Sequence, residues 1–190
     1  MNIQFKKLMP QMADEFLHYF ENVAFPENDP RSCWYCLESH LPNESDYTAV
    51  AERREKAKEL ILNGIMTGYL IYDNDQVIGW CNVNARENYR FVTEMFREIG
   101  YQTGDEAGAR VKAIYCFLIA PKYRGKGVAR KLLERVCEDA AHDGYDCIEA
   151  YPFADERFEF QYHGGSKMYE QSGFTEVADL KYVKVMQKKL

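Results

Sequence analysis

The run Tyr115-Cys-Phe-Leu-Ile-Ala-Pro-Lys-Tyr-Arg-Gly-Lys-Gly-Val-Ala-Arg130 constrains the fold of this chain more than any other segment. It reads as a buried strand, a stop at Pro121, a basic glycine loop and the start of a long helix. Val128, Leu132, Val136 and Ala140 recur every four residues, with Ala129, Leu133 and Cys137 beside them. That is an apolar stripe at helical period, and Arg130, Lys131, Glu134, Arg135, Glu138 and Asp139 fill the outer face. Cys147 to Tyr151 follows as another buried strand, so the unit reads strand–helix–strand and locally parallel.

The glycine loop is a place to hold phosphate. Amides at a helix start lack intrahelical partners, and the helix dipole favours an anion there. Gly125 and Gly127 let a ligand approach the backbone, and Lys122, Arg124, Lys126, Arg130 and Lys131 crowd the same turn. The chain as a whole carries a net charge of -6, so this cationic cluster points to a specific anionic ligand. A dinucleotide-binding G-x-G-x-x-G would need glycine where Arg130 stands. The G-x-x-x-x-G-K-[ST] spacing of a nucleotide P-loop does not occur.

Arg124-Gly-Lys-Gly127-Val-Ala129 does fit R-x-x-G-x-G/A. It resembles the pyrophosphate loop of the GNAT superfamily of acyl-CoA-dependent N-acyltransferases. Phe117-Leu-Ile119-Ala-Pro121 is similar to that family's L-x-V-x-P strand end, and Met168-Tyr-Glu-Gln-Ser-Gly-Phe174 to its late L-Y-x-x-x-G-F motif. The three matches stand in order between residues 111 and 175. The resemblance implies an α/β fold with a mixed, mostly antiparallel sheet of about six or seven strands and helices on both faces. It implies acetyl-CoA as acyl donor, with no metal, and an amine acceptor.

The rest of the chain agrees with one domain over residues 1–190. Asn2 to Lys7 reads as a strand, and Met9 to Val23 as an amphipathic helix. Phe25 to Asn43 holds three prolines and reads as loop, and a charged helix is expected from about Ser45 to Leu62, ended by Asn63-Gly64. Gly68 to Tyr72 and Gln76 to Asn84 form a hairpin turned by Asp73-Asn74-Asp75. A short helix near Phe91 to Ile99 precedes a flexible stretch with Gly100, Gly104 and Gly108. Val111 to Ile119 is the central strand. A helix at Ser166 to Ser172 and strands at Phe174 to Asp179 and Tyr182 to Gln187 close the chain.

Acyl transfer needs a held thioester, a polarised carbonyl, a neutral amine and a proton for the leaving thiolate. The resemblance gives the first to Arg124, Gly125, Lys126, Gly127, Val128 and Ala129, with the backbone of Phe117, Leu118 and Ile119 pairing with the pantetheine arm like an added strand. It makes a main-chain N–H near Phe117 or Leu118 the polarising donor. It makes Tyr169 the thiolate's acid, since a phenol of ordinary pKa about 10 is protonated at neutrality; the alternative is an aromatic that packs its helix. Val111 to Ile119 contains no carboxylate, where many members of the family carry their base. Glu149 and His163 are the candidate bases. The alternatives are an outward-facing strand carboxylate for Glu149 and a helix cap for His163. Tyr162 stands near where many members carry an asparagine.

Trp34, Tyr35 and Asn82 are candidate acceptor contacts, and aromatic residues there could enclose an ammonium group. Trp80 fits the same pocket or simple core packing. The polar stretch Arg86 to Arg110 is a second candidate specificity element. Cys33-Trp-Tyr-Cys36 with His40 has no second C-x-x-C, so a pocket wall or structural role fits better than metal or redox chemistry. Six cysteines without a disulfide-framework pattern, and no signal-peptide core at the N-terminus, suggest a cytoplasmic protein. The acidic balance argues against nucleic acid, and no apolar run is long enough for a membrane. Monomer and homodimer both stay open. Two other classes compete with the enzyme: a non-catalytic acyl-CoA sensor on the same fold, and a nucleotide-binding domain of another kind.

Overall fold

The computed structural model describes residues 1–41, 49–98, 108–155, 157 and 162–190. Seven strands form one sheet: β1 (Ile3–Lys7), β2 (Gly68–Asp73), β3 (Gln76–Ala85), β4 (Val111–Ile119), β5 (Cys147–Ala150), β6 (Thr175–Asp179) and β7 (Lys184–Lys189). Their order is β1-β2-β3-β4-β5-β7-β6, and every neighbouring pair is antiparallel except β4 with β5. The helices are α1 (Ala13–Asn22), α2 (Val50–Leu62), α3 (Arg90–Glu98), α4 (Val128–His142) and α5 (Ser166–Gln171). This is the expected mixed, mostly antiparallel sheet.

Each sheet face carries its own core. On one side, Phe16, Leu17 and Phe20 of α1 pack against β3 and β4, with the Phe16 ring edge-on to Trp80 at 4.9 Å. Trp80 is therefore a core residue. On the other side, the predicted stripe of α4 buries Val128, Leu132, Leu133, Val136, Cys137 and Ala140 against the sheet. Burying one such leucine or valine contributes about 1.5–3 kcal/mol, which is what fixes this crossover helix in place.

Several boundaries move. Pro10 opens a short 3-10 turn, so α1 starts at Ala13 and not at Met9. The hairpin turns on Asn74, whose φ of 53° suits asparagine. The last strand runs two residues later than its apolar pattern suggests, because Tyr182 stays outside it and is exposed. The first residues expected in the charged helix, and Gly100 and Gly104 of the flexible stretch, lie outside the described residues.

One irregularity matters for the site. Along β3 and β4, Asn82 faces Cys116 while Val83 faces Ile114, which leaves Tyr115 as the extra residue of a β-bulge. Simple alternation would put Tyr115 and Cys116 on opposite faces. With the bulge, Ala113, Tyr115, Cys116 and Leu118 join the core on the α1 side, and Ile114, Phe117 and Ile119 join the other.

Candidate active site

The parallel seam is short. β4 and β5 pair only from Val111–Ile114 to Cys147–Ala150, after which β4 runs on through Ile119 and the chain leaves β5. A wedge opens between them. The Ala120 N–H donates to the Ile78 carbonyl at 2.9 Å, so even-numbered residues here hydrogen-bond towards β3. Leu118 thus spends its amide in the β3 ladder, which corrects its expected part as polarising donor. Phe117 and Ile119 turn their amides into the wedge. The Phe117 N–H donates to the Tyr162 carbonyl at 2.6 Å. The Ile119 carbonyl accepts from Arg124 Nε at 2.8 Å.

The glycine loop stands at the mouth of the wedge. A 3-10 turn at Pro121–Tyr123 leads to Arg124, and Gly127 then opens α4. Gly125 and Gly127 have φ of 70° and 76°, and a Cβ on either would meet open space. Glycine is favoured here by conformation, since an L side chain in this region costs about 1–2 kcal/mol. The open space above both leaves the backbone approachable by phosphate. Lys126 lies 5.4 Å from the Tyr123 ring centroid.

A cavity of about 460 Å³ lies on the α1 side of the wedge. Tyr115, Cys116, Phe117, Leu118, Ile119 and Arg124 form its strand wall. Phe20, Phe25, Arg31, Trp34, Cys36, Leu37 and Glu38 form the facing wall, and Tyr162 closes one end. Trp34 is where the sequence placed it, 41% exposed and edge-on to Tyr162 at 6.5 Å. Tyr35 is not: it is buried, with its phenol donating to Glu21 Oε1 at 3.0 Å. Tyr35 and Cys36 both have positive φ, 49° and 56°, so the chain reverses within two residues and Cys36 alone reaches the cavity.

Asn82 is also withdrawn. It is fully buried, accepts from the Tyr89 phenol at 2.7 Å, and presents Nδ2 to Ser39 Oγ at 3.0 Å, His40 Nε2 at 3.1 Å and Cys36 Sγ at 3.2 Å. This polar cluster positions the cavity wall from behind. A hydrogen bond from Cys116 pulls the Cys36 thiol below its ordinary value, with the Asn82 amide adding to it, and the same contact together with burial pushes Cys116 up. Cys33 turns elsewhere and donates to the Pro30 carbonyl at 3.1 Å. Cys36 is the cavity-wall cysteine of that pair.

Neither expected base lines the cavity. Glu149 is fully buried, not outward-facing: Arg86 Nη1 lies at 3.1 Å from Oε1 and the Tyr151 phenol donates to Oε2 at 2.9 Å. Arg86 is thereby drawn inward, and Tyr89, Val92 and Phe96 enter the core, so the described part of the Arg86 to Arg110 stretch turns away from the cavity. The His163 ring is buried between Tyr115, Phe153 and Tyr162, with Nδ1 at 2.8 Å from the Tyr151 carbonyl. Burial lowers its pKa to about 4, so it is a weak base, and Gly165, not His163, sits at the α5 cap.

Tyr169 is fully buried beneath Phe117, with ring centroids 6.2 Å apart, and donates its phenol to the His163 carbonyl at 2.7 Å. Burial raises its pKa well above 10, so it stays protonated. Sequence reasoning missed Tyr115 and Cys116, which the bulge brings to the cavity together, and Glu38, which lies two residues beyond Cys36 in the segment already singled out.

A locally parallel strand–helix–strand unit with a basic glycine loop at its turn is the arrangement the motifs anticipate; the parting of β4 from β5 is seen only in the structure. Residues 14–174 match the family model of the acetyltransferase (GNAT) family. The chain belongs to this family. As a GNAT protein it is an acetyltransferase, and the family supports acetyl-CoA as its donor. Its structure is similar to that of PaiA N-acetyltransferase from Thermoplasma acidophilum in complex with coenzyme A (TM-score 0.57, 15% identity, 100% of each chain covered). It is also similar to mosquito arylalkylamine N-acetyltransferase-like 5b (TM-score 0.62, 12% identity, 99% of this chain and all of that one). An acetyltransferase from Thermus thermophilus matches with TM-score 0.57 and 14% identity over 100% of this chain and 98% of that one. At these identities the likeness speaks for the GNAT fold. No curated protein matches the chain in sequence.

Proposed function

We propose that the protein transfers an acetyl group from acetyl-CoA to a primary amine of a small molecule or peptide by direct attack within a ternary complex. One observation carries this reading: two consecutive carbonyls inside the wedge, those of Tyr162 and His163, accept from the Phe117 N–H and the Tyr169 phenol. These are the two donors that acyl transfer needs. Phe117 N–H takes over the thioester oxygen and stabilises the charge that builds there. The acceptor nitrogen sheds its ammonium proton to water and attacks; as the C–N bond forms and the C–S bond breaks, Tyr169 gives its proton to the departing sulfur and is reprotonated by the proton the new amide nitrogen releases. The chain's own carbonyls hold both donors in place until substrate replaces them. A backbone hydrogen bond contributes only about 0.5–1.5 kcal/mol net, so the exchange is cheap.

Gly125, Lys126 and Gly127 bind the pyrophosphate at the start of α4, and Arg124 flanks it. Ile119 and Phe117 pair with the amide-bearing arm. The amine enters from the cavity on the α1 side. Direct attack predicts that both substrates must be bound before any thiol is released. Mixing protein with acetyl-CoA alone should give no burst of free CoA; a stoichiometric burst would exclude the ternary-complex route. Stabilisation by ATP or NAD, and none by CoA or acetyl-CoA, in thermal melts would overturn the donor assignment.

A further inference from the structure

We propose that Glu38 docks the acceptor as its ammonium ion, which sheds a proton before it attacks, and that the acceptor is an apolar, arylalkyl-type primary amine enclosed by the aromatic walls of the cavity. The proposal rests on the acetyl-transfer reading above. Glu38 is the one acidic side chain lining the cavity among the described residues. Phe20, Phe25, Trp34, Tyr115 and Tyr162 line it too, so the organic part of the acceptor meets rings on both walls and at one end.

The two arginines in the lining hold other groups. Arg31 forms a two-pronged pair with Asp29, holding that carboxyl down at about 2, and its guanidinium sits over the Phe25 ring at 5.2 Å. Arg124 bonds the Ile119 carbonyl at the donor mouth. Glu38 belongs to the same stretch of chain as Trp34 and Cys36, opposite Tyr115 and Cys116. Its charge reaches across: burial, and after it the Glu38 carboxylate, push the Tyr115 phenol up. A carboxylate among aromatic faces is the environment that holds a cation with an apolar body, since rings attract the ammonium and cover the hydrocarbon.

The volume selects as well. About 460 Å³ must admit both the acyl end of the donor and the acceptor, which suits a single-ring or two-ring amine. Amino acids carry a carboxylate that Glu38 would repel, and polyamines bring further charges that the aromatic walls would have to desolvate.

The test is equilibrium binding to the CoA-loaded protein, which needs no turnover. Phenethylamine and 2-phenylethanol have the same ring and chain and differ in the charged group. The amine should bind at least tenfold tighter than the alcohol, and phenylalanine and spermidine at least tenfold weaker than the amine. Glu38→Gln should weaken phenethylamine about tenfold and leave the alcohol and CoA within twofold, with Glu38→Asp intermediate. Equal binding of amine and alcohol by the unaltered protein overturns the proposal, whatever the variants do. So does preferred acetylation of spermidine or amino acids. If the amine binds as stated and acetyl-CoA is never consumed, the acceptor site stands and the transfer reaction falls.

Discussion

His40 and His163 make the stability of this protein depend on pH in a defined window. The His40 ring lies tilted against Tyr89 with centroids 5.5 Å apart, and burial lowers its pKa to about 4, against an Asn82 hydrogen bond that raises it. His163 is likewise held at about 4, by burial and against the Tyr151 carbonyl. In the unfolded chain both return to about 6.5. Between those values the unfolded state binds more protons than the folded one, so stability falls as pH falls. At pH 5 each histidine removes about RT ln(1 + 10^1.5), or about 2 kcal/mol, relative to pH 8. The two together remove about 4 kcal/mol, a large share of the roughly 5–15 kcal/mol typical of a domain. The depressed aspartates Asp14, Asp29, Asp139, Asp143 and Asp155 start from 3.8 and act mainly below this window. His18 and His142 are exposed and do not share the buried setting. Urea unfolding followed by tryptophan fluorescence at pH 8, 7, 6 and 5 measures the slope. The double variant His40→Gln/His163→Gln should lose most of that slope whatever its absolute stability. A wild-type stability unchanged to within 1 kcal/mol from pH 8 to pH 5 would refute the argument, as would a double variant that keeps the full slope.

Four further outcomes are expected. Arg86→Ala removes an ion-pair partner of the fully buried Glu149 carboxylate and should cost about 3–5 kcal/mol in urea unfolding. Tyr169→Phe removes the donor to a buried carbonyl and should lower stability by about 1–3 kcal/mol; in the proposed reaction it also slows single-turnover thiol release, with the Kd for acetyl-CoA within threefold. Gly127→Ala forces an L side chain to a φ of 76° and should cost about 1 kcal/mol. Calorimetric titration should show weaker CoA binding by the same variant. Cys36, with its lowered thiol pKa and its place on the cavity wall, should be alkylated by iodoacetamide faster than the buried cysteines, and acetyl-CoA should protect it.

The fold was largely legible because its strongest signals are local. The four-residue stripe from Val128 to Ala140 and the glycines at 125 and 127 each dictate a conformation within one turn of chain. The acceptor side was legible only in part, for a physical reason. Tyr35 and Cys36 are adjacent, and two left-handed residues decide which of them enters the cavity. Cys116 reaches the same cavity because a single extra residue on β4 breaks the alternation. Neither event leaves a pattern in a sequence of ordinary strand and loop residues. Glu149 shows the opposite failure: its position on a strand was clear, but the partner that buries it, Arg86, lies 63 residues away. Long-range pairing of this kind is invisible to periodicity.

A sheet that parts after four parallel residues has four borders where an ordinary open sheet has two. The outer borders, β1 and β6, face solvent like any sheet margin. The inner ones, along Tyr115 to Ile119 and beyond Ala150, are sunk within the molecule, where another protein's strand cannot lie flat against them. Exposed margins invite unwanted chain-to-chain pairing; recessed ones admit only something as thin as a flexible amide arm. The hydrogen bond from Phe117 to Tyr162 shows the chain lending one of its own carbonyls to the recess. Access, as much as affinity, decides what can add itself to this sheet.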